Sequence, residues 1–149
     1  MANTVYEKVL EFKDKYPDTI AWRLKSHSKI VEAHLNPDER VLYAFAAQKN
    51  ESPFMILNTV VIALTNRRLL IGTKRVLFGY FLSSVTPDMF NDLKVSSNII
   101  WGNVYIDTIK EFITLTNISK KALPEIETEI TEYMMEEKKK YALKDQEKD

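Results

Sequence analysis

The stretch Val61-Ile62-Ala63-Leu64-Thr65-Asn66-Arg67-Arg68-Leu69-Leu70-Ile71 decides the fold. Its first half is rich in β-branched residues, and Val60, Ile62 and Leu64 recur at every second position, the period of a strand with one buried face. Thr65-Asn66-Arg67 then reads as a tight turn, because Asn tolerates the left-handed backbone that short hairpins require. From Arg68 the chain returns as a second strand. Leu64, Leu69 and Ile71 are expected to face the core, with Arg67 and Arg68 covering the outer edge of the turn.

The same period extends in both directions. Upstream, Val41, Tyr43, Phe45 and Ala47 alternate in a first strand, and the second strand opens at Leu57. Downstream, Lys74-Arg75, Pro87-Asp88, Ser96-Ser97-Asn98 and Asp107-Thr108 separate four more strand-like runs, 76–85, 89–95, 99–106 and 109–115. Seven closely spaced strands with short polar links predict a meander folded into a sandwich or partly open barrel.

Outside the strands the period lengthens. Val5, Val9, Phe12 and Tyr16 mark an amphipathic helix that stops before Pro17. Ile20, Leu24, Val31 and Leu35 predict a second helical piece, broken near Ser26-His27-Ser28. Leu123, Ile126, Ile130, Tyr133 and Met134 form the stripe of a C-terminal helix, opposite Glu125, Glu129, Glu132 and Glu136. Pro124 suits the start of that helix, after a separate turn at Ser119-Lys120-Lys121. The expected organisation is a helical extension over residues 1–35, a main domain over 36–137 and a solvent-exposed tail over 138–149.

Composition narrows the chemistry. The 149 residues carry 45% hydrophobic and 11% aromatic side chains, enough for a core and against disorder. With 3 glycines standing apart, no GxGxxG or GxxxxGK phosphate loop occurs. Cysteine is absent, which excludes disulfides, thiolate zinc sites and thiol nucleophiles. The balance of 21 basic against 21 acidic residues argues against nonspecific nucleic-acid binding. The N-terminus lacks the pattern of a signal peptide, and the longest apolar runs are too short to span a bilayer. The expectation is a soluble, cytoplasmic protein.

Asn36-Pro37-Asp38-Glu39-Arg40-Val41-Leu42 opening into a strand, followed by the hairpin quoted first, resembles the short bacterial pleckstrin-homology (PH) domains, of the YokE-like type. Their typical features are an acidic residue two before an apolar one at the opening and an LTNxRLL hairpin. The resemblance covers roughly residues 36–137. It implies a mainly β fold with flanking helices, a PH-like seven-stranded sandwich or partly open barrel with a C-terminal capping helix and an N-terminal helical extension. It implies no single activity.

Two candidate surfaces follow. In a meander the first and third links share one end of the sheet, so Lys49, Lys74 and Arg75 converge beside Phe54, Met55 and Ile56 as a candidate contact for an anionic ligand or membrane. Arg67 and Arg68 belong to the opposite end, about 20 Å away at roughly 3.3 Å per residue. Solvated turn charges and the buried start of a strand are the plainer readings of the same residues. A candidate protein contact is formed by Trp101 and Tyr105 in the sixth strand and by Tyr133 and Met134 in the last helix, whose apolar surface exceeds what a plug needs. That surplus, with the first helix, predicts self-association. His27 and His34 lie two turns apart with no carboxylate to complete a metal site, and they read as solvated or capping. No nucleophile–base pair or carboxylate cluster assembles, so the expectation is a non-catalytic module with no cofactor, metal or nucleic-acid partner.

Overall fold

The computed structural model describes residues 4–49, 58–75 and 78–147. Two helices come first, α1 (Thr4–Lys15) and α2 (Leu24–Ala33), followed by seven strands: β1 (Val41–Lys49), β2 (Thr59–Thr65), β3 (Leu69–Lys74), β4 (Tyr80–Val85), β5 (Phe90–Ser97), β6 (Gly102–Thr108) and β7 (Phe112–Ile118). Helix α3 (Leu123–Glu147) closes the chain, and 3-10 turns at Pro87–Met89 and Lys120–Ala122 precede β5 and α3. All pairings are antiparallel, in the order β4-β3-β2-β1-β7-β6-β5. The seven strands and the closing helix are as expected, with β6 and β7 each starting three residues late and β4 opening at Tyr80 instead of 76. The side chain of Asn98 explains the first of these shifts: it folds residues 98–101 into a turn instead of a strand.

The inner faces of both halves of the sheet meet in one core. Phe45 and Ala47 of β1, Ile62 and Leu64 of β2, Leu93 of β5, Ile106 of β6 and Leu115 of β7 belong to a single buried cluster. Leu123, Ile126, Ile130 and Met134 of α3 join it from one end, which is the plug the helix stripe predicts. Pairing between β1 and β7 runs through Gln48–Thr116 and Lys49–Leu115, at one end of β1. Beside that seam the linker between α1 and α2 supplies hydrogen bonds: Ile20 N–H donates to the Asn117 carbonyl at 2.9 Å and Gln48 Nε2 donates to the Ile20 carbonyl at 2.9 Å.

The outer face of β1–β3 is buried as well. Ala44 and Ala46 of β1, Val61 and Ala63 of β2 and Leu70 of β3 pack with Val5 and Val9 of α1 and Val31 of α2. Small residues let the helices lie close. A Cβ on Gly72 would come within 2.7 Å of Val31 Cγ2. Burying Val5, Val9 and Phe12 is worth about 1.5–3 kcal/mol each, so the apolar stripe of α1 is used inside the molecule. That removes α1 from the expected self-association surface. Helix α2 also differs from expectation, running unbroken through Ser26-His27-Ser28 because His27 and Ser28 face the sheet and are buried. Its N-cap is Arg23, which sits in the left-handed region at φ 55.

Candidate functional site

The strand register brings Lys49, Lys74 and Arg75 to one end of the sheet: Gln48 lies opposite Thr59 and Lys74 opposite Tyr80. Lys49 lies over the Phe81 ring, its Nζ 4.3 Å from the ring centroid. Arg75 N–H donates to the Gly79 carbonyl at 3.0 Å, closing the β3–β4 turn, and Gly79 adopts φ 73. Phe78 projects from that turn with 85% of its surface exposed. Lys74 and Arg75 are exposed, whereas Phe54, Met55 and Ile56 lie outside the described residues.

Beneath this end lies a buried histidine. His27 Nδ1 accepts the Lys74 backbone N–H at 2.8 Å and lies 3.1 Å from Thr73 Oγ1. Burial, with the charge of Arg23 adding to it, lowers its pKa to about 4. The ring is therefore neutral and acts as a backbone acceptor, correcting the expectation of a solvated side chain. His34 packs instead against Tyr80, with Nε2 3.1 Å from the phenolic oxygen.

The opposite end holds the two arginines of the hairpin, and only one of them is a surface charge. Arg67 pairs with Asp38 in solvent. Arg68 turns inward to Glu39, whose side chain is fully buried, with Nε to Oε2 and Nη2 to Oε1 both 3.0 Å. Thr65 Oγ1 donates to Glu39 Oε2 at 2.6 Å, and the Asn36 N–H donates to Oε1 at 3.1 Å. Burial pushes the Glu39 carboxyl up, but the hydrogen bonds from Arg68, Thr65 and Asn36, with the Arg68 charge, outweigh it and hold the group below its usual value.

Asn66 also works differently from expectation, since the left-handed non-glycine positions among the described residues are Arg23 and Asn117. Its Oδ1 accepts the Arg40 N–H at 2.7 Å, while Thr65 Oγ1 holds the turn by accepting the N–H groups of Arg67 and Arg68.

The expected protein-contact residues separate. Trp101 is half-buried, its indole Nε1 donating to the Asp18 carbonyl at 3.2 Å. Tyr105, half-buried on the outer face of β6, stacks on Phe112 of β7 at 6.1 Å between ring centroids. Tyr133 is half-buried against the core. Met134 is fully buried, because it falls on the stripe by which α3 fills the core, and so it is not a surface residue.

A third cluster joins α1, β1 and α3. Tyr43 Oη donates to Glu125 Oε2 at 2.8 Å, and Lys15 pairs with Glu125 Oε1 at 2.5 Å. Burial first, then the Glu125 carboxylate, push the Tyr43 hydroxyl pKa far up, so it stays a neutral donor.

Among the described residues no group of three or more His, Cys, Asp or Glu side chains is placed to hold a metal ion, and no helix is long and apolar enough to cross a membrane. The comparison with curated proteins gives no match. The family model for the bacterial PH domain matches residues 35–132, from the turn before Glu39 into α3, and leaves α1 and α2 outside. With the strand order and the closing helix in place, the chain belongs to the bacterial PH domain family.

Proposed function

We propose that the chain is a non-catalytic, cytoplasmic interaction module that works through protein–protein contacts, with a second copy of itself as the first partner. One observation carries this reading, the unequal covering of the sheet. Helices α1 and α2 occupy the outer face of β1–β3, whereas the outer face of β6 and β7 carries the Tyr105–Phe112 stack, with Phe112 63% exposed. Aromatic side chains of this kind anchor protein interfaces. Met135, Tyr141 and Leu143 of α3 add exposed apolar surface. Light scattering at tens of micromolar tests it: the native chain associates, and Tyr105→Ala with Phe112→Ala returns it to a monomer. A native chain that is strictly monomeric overturns self-association.

A second reading has its own support. Phe78 stands 85% exposed in the turn that follows Lys74 and Arg75, which is the combination an anionic membrane surface attracts. Binding through this end weakens with salt and with Lys74→Glu and Arg75→Glu. Association through the aromatic stack is indifferent to both.

A further inference from the structure

The β5–β6 hairpin ends in a tip that neither reading uses. Asn98 Oδ1 accepts the N–H groups of Ile100 and Trp101 at 2.9 and 2.7 Å, and the Asn98 N–H donates to the Trp101 carbonyl at 2.9 Å. The turn is thus held by its own side chain, and it presents Ile99 and Ile100 with 92% and 61% of their surface exposed. A hairpin needs small polar residues at its tip, not two adjacent isoleucines. Something other than folding accounts for them.

The surroundings of the tip carry cations. Gly102 at its base pairs with Ile118, and the chain then turns through the exposed Lys120 and Lys121. Ser119 N–H donates to Thr19 Oγ1 at 2.9 Å, which ties this turn to the linker that holds Trp101, and Lys13 Nζ reaches the carbonyls of Pro17 and Thr19. Against these three lysines stands Asp18, exposed on the same linker.

We propose that this tip is a wedge that enters the interface of an anionic lipid bilayer. Four features favour lipid over a protein partner. The tip is convex and aliphatic, whereas protein anchors are typically aromatic or Arg side chains seated in pockets. The Ile100 and Trp101 N–H groups are satisfied within the turn, a requirement for backbone that leaves water. Trp101, half-buried with its indole N–H engaged, sits at the base of the wedge, the depth that Trp favours at a membrane surface. Lys120 and Lys121, both exposed, complement anionic headgroups, while Lys13 is held by the Pro17 and Thr19 carbonyls.

The inference is independent of the reading built on Lys74 and Arg75, and the experiment separates them. Vesicles of phosphatidylcholine, with and without phosphatidylglycerol, are mixed with the full chain carrying Trp22→Phe, so that Trp101 is the reporter. The expected result is a blue shift of Trp101 emission and co-sedimentation with the anionic vesicles, reduced roughly tenfold or more by Ile99→Ser with Ile100→Ser. Lys74→Glu with Arg75→Glu leaves this binding in place. Because both isoleucines are solvent-exposed, an unchanged melting temperature checks that the tip variant folds. Absence of binding to either vesicle, or binding that survives the tip variant, overturns the proposal. So does binding abolished by Lys74→Glu with Arg75→Glu alone, which assigns the membrane contact to the other end.

Discussion

Arg68 meets Glu39 as a two-point ion pair, Nε to Oε2 and Nη2 to Oε1, both at 3.0 Å, joining the first residues of β1's lead-in to the β2–β3 hairpin. Glu39→Ala leaves the guanidinium with the His34 carbonyl and a 3.4 Å contact to Ser84. Arg68→Ala strands the fully buried Glu39 carboxylate and is expected to cost about 3–5 kcal/mol; Glu39→Ala costs less, because the Arg68 side chain keeps 21% of its surface exposed. Urea denaturation of Glu39→Ala, Arg68→Ala and the double variant checks it: the double costs less than the sum. Arg68→Lys keeps the charge but not the fork, and falls near Arg68→Ala.

The same pair sets an acid limb. Glu39 has a folded pKa below its usual value, so the unfolded chain takes up the proton first as pH falls. The stabilisation is fully present above about pH 4.5 and is lost as pH drops through the folded value. Glu39→Gln removes this proton-linked loss, so the acid limb of its stability profile is shallower than that of the native chain.

His27 acts in a different window and with a different group. Its folded pKa is about 4, against about 6.5 for an unperturbed imidazole. Between these values the unfolded state binds the proton and the folded state does not, so stability is full above about pH 6.5 and declines toward pH 4. The decline is on the order of 2 kcal/mol. His27→Ala loses stability at neutral pH, since the Lys74 N–H loses its acceptor, but its curve between pH 7 and 5 is flatter. Guanidinium titrations at several pH values read both effects.

Arg23 contributes to that depression and carries strain of its own. Its φ of 55 is a region where a side chain costs about 1–2 kcal/mol, and glycine returns part of the gain as unfolded-state entropy. Arg23→Gly is therefore expected to stabilise by about 0.5 kcal/mol. It also raises the His27 pKa by removing a neighbouring cation, which an NMR titration of the imidazole protons measures. A variant that stabilises without moving His27 removes the electrostatic half of the argument.

The strands were legible in the sequence because their period is two and their inner residues, such as Phe45, Ile62 and Leu64, are large and apolar. The outer face was not. Ala44, Ala46, Ala63 and Gly72 carry little hydrophobic signal, yet their small size is what admits α1 and α2. The ion pair was hidden for a related reason. Glu39 and Arg68 stand 29 positions apart, and a charged residue at a turn reads as solvated until the fold shows it buried. Both lay inside the two stretches that carried the family resemblance, which was the available signal. Of the candidate site, the order of the links places Lys49, Lys74 and Arg75 at one end, whereas Met134, counted both on the α3 stripe and in its apolar surplus, follows the stripe into the core.

The close approach of α2 to β3 gives a reciprocal test. A methyl group on Gly72 would meet Val31 Cγ2 at 2.7 Å and Leu82 Cδ1 at 3.2 Å. Gly72→Ala is expected to cost about 1–3 kcal/mol by overpacking, although alanine elsewhere in a strand is better than glycine. Val31→Ala alone costs about 1–3 kcal/mol for the cavity it opens. In the double variant the new methyl occupies the space the valine vacates, so the two costs do not add. Thermal and urea unfolding of the four proteins measure the coupling, and additive costs would show that α2 does not rest on Gly72. Hydrogen exchange supplies the second readout: in Gly72→Ala the amides of α2, and the Lys74 amide held by His27, exchange faster than those of β6 and β7.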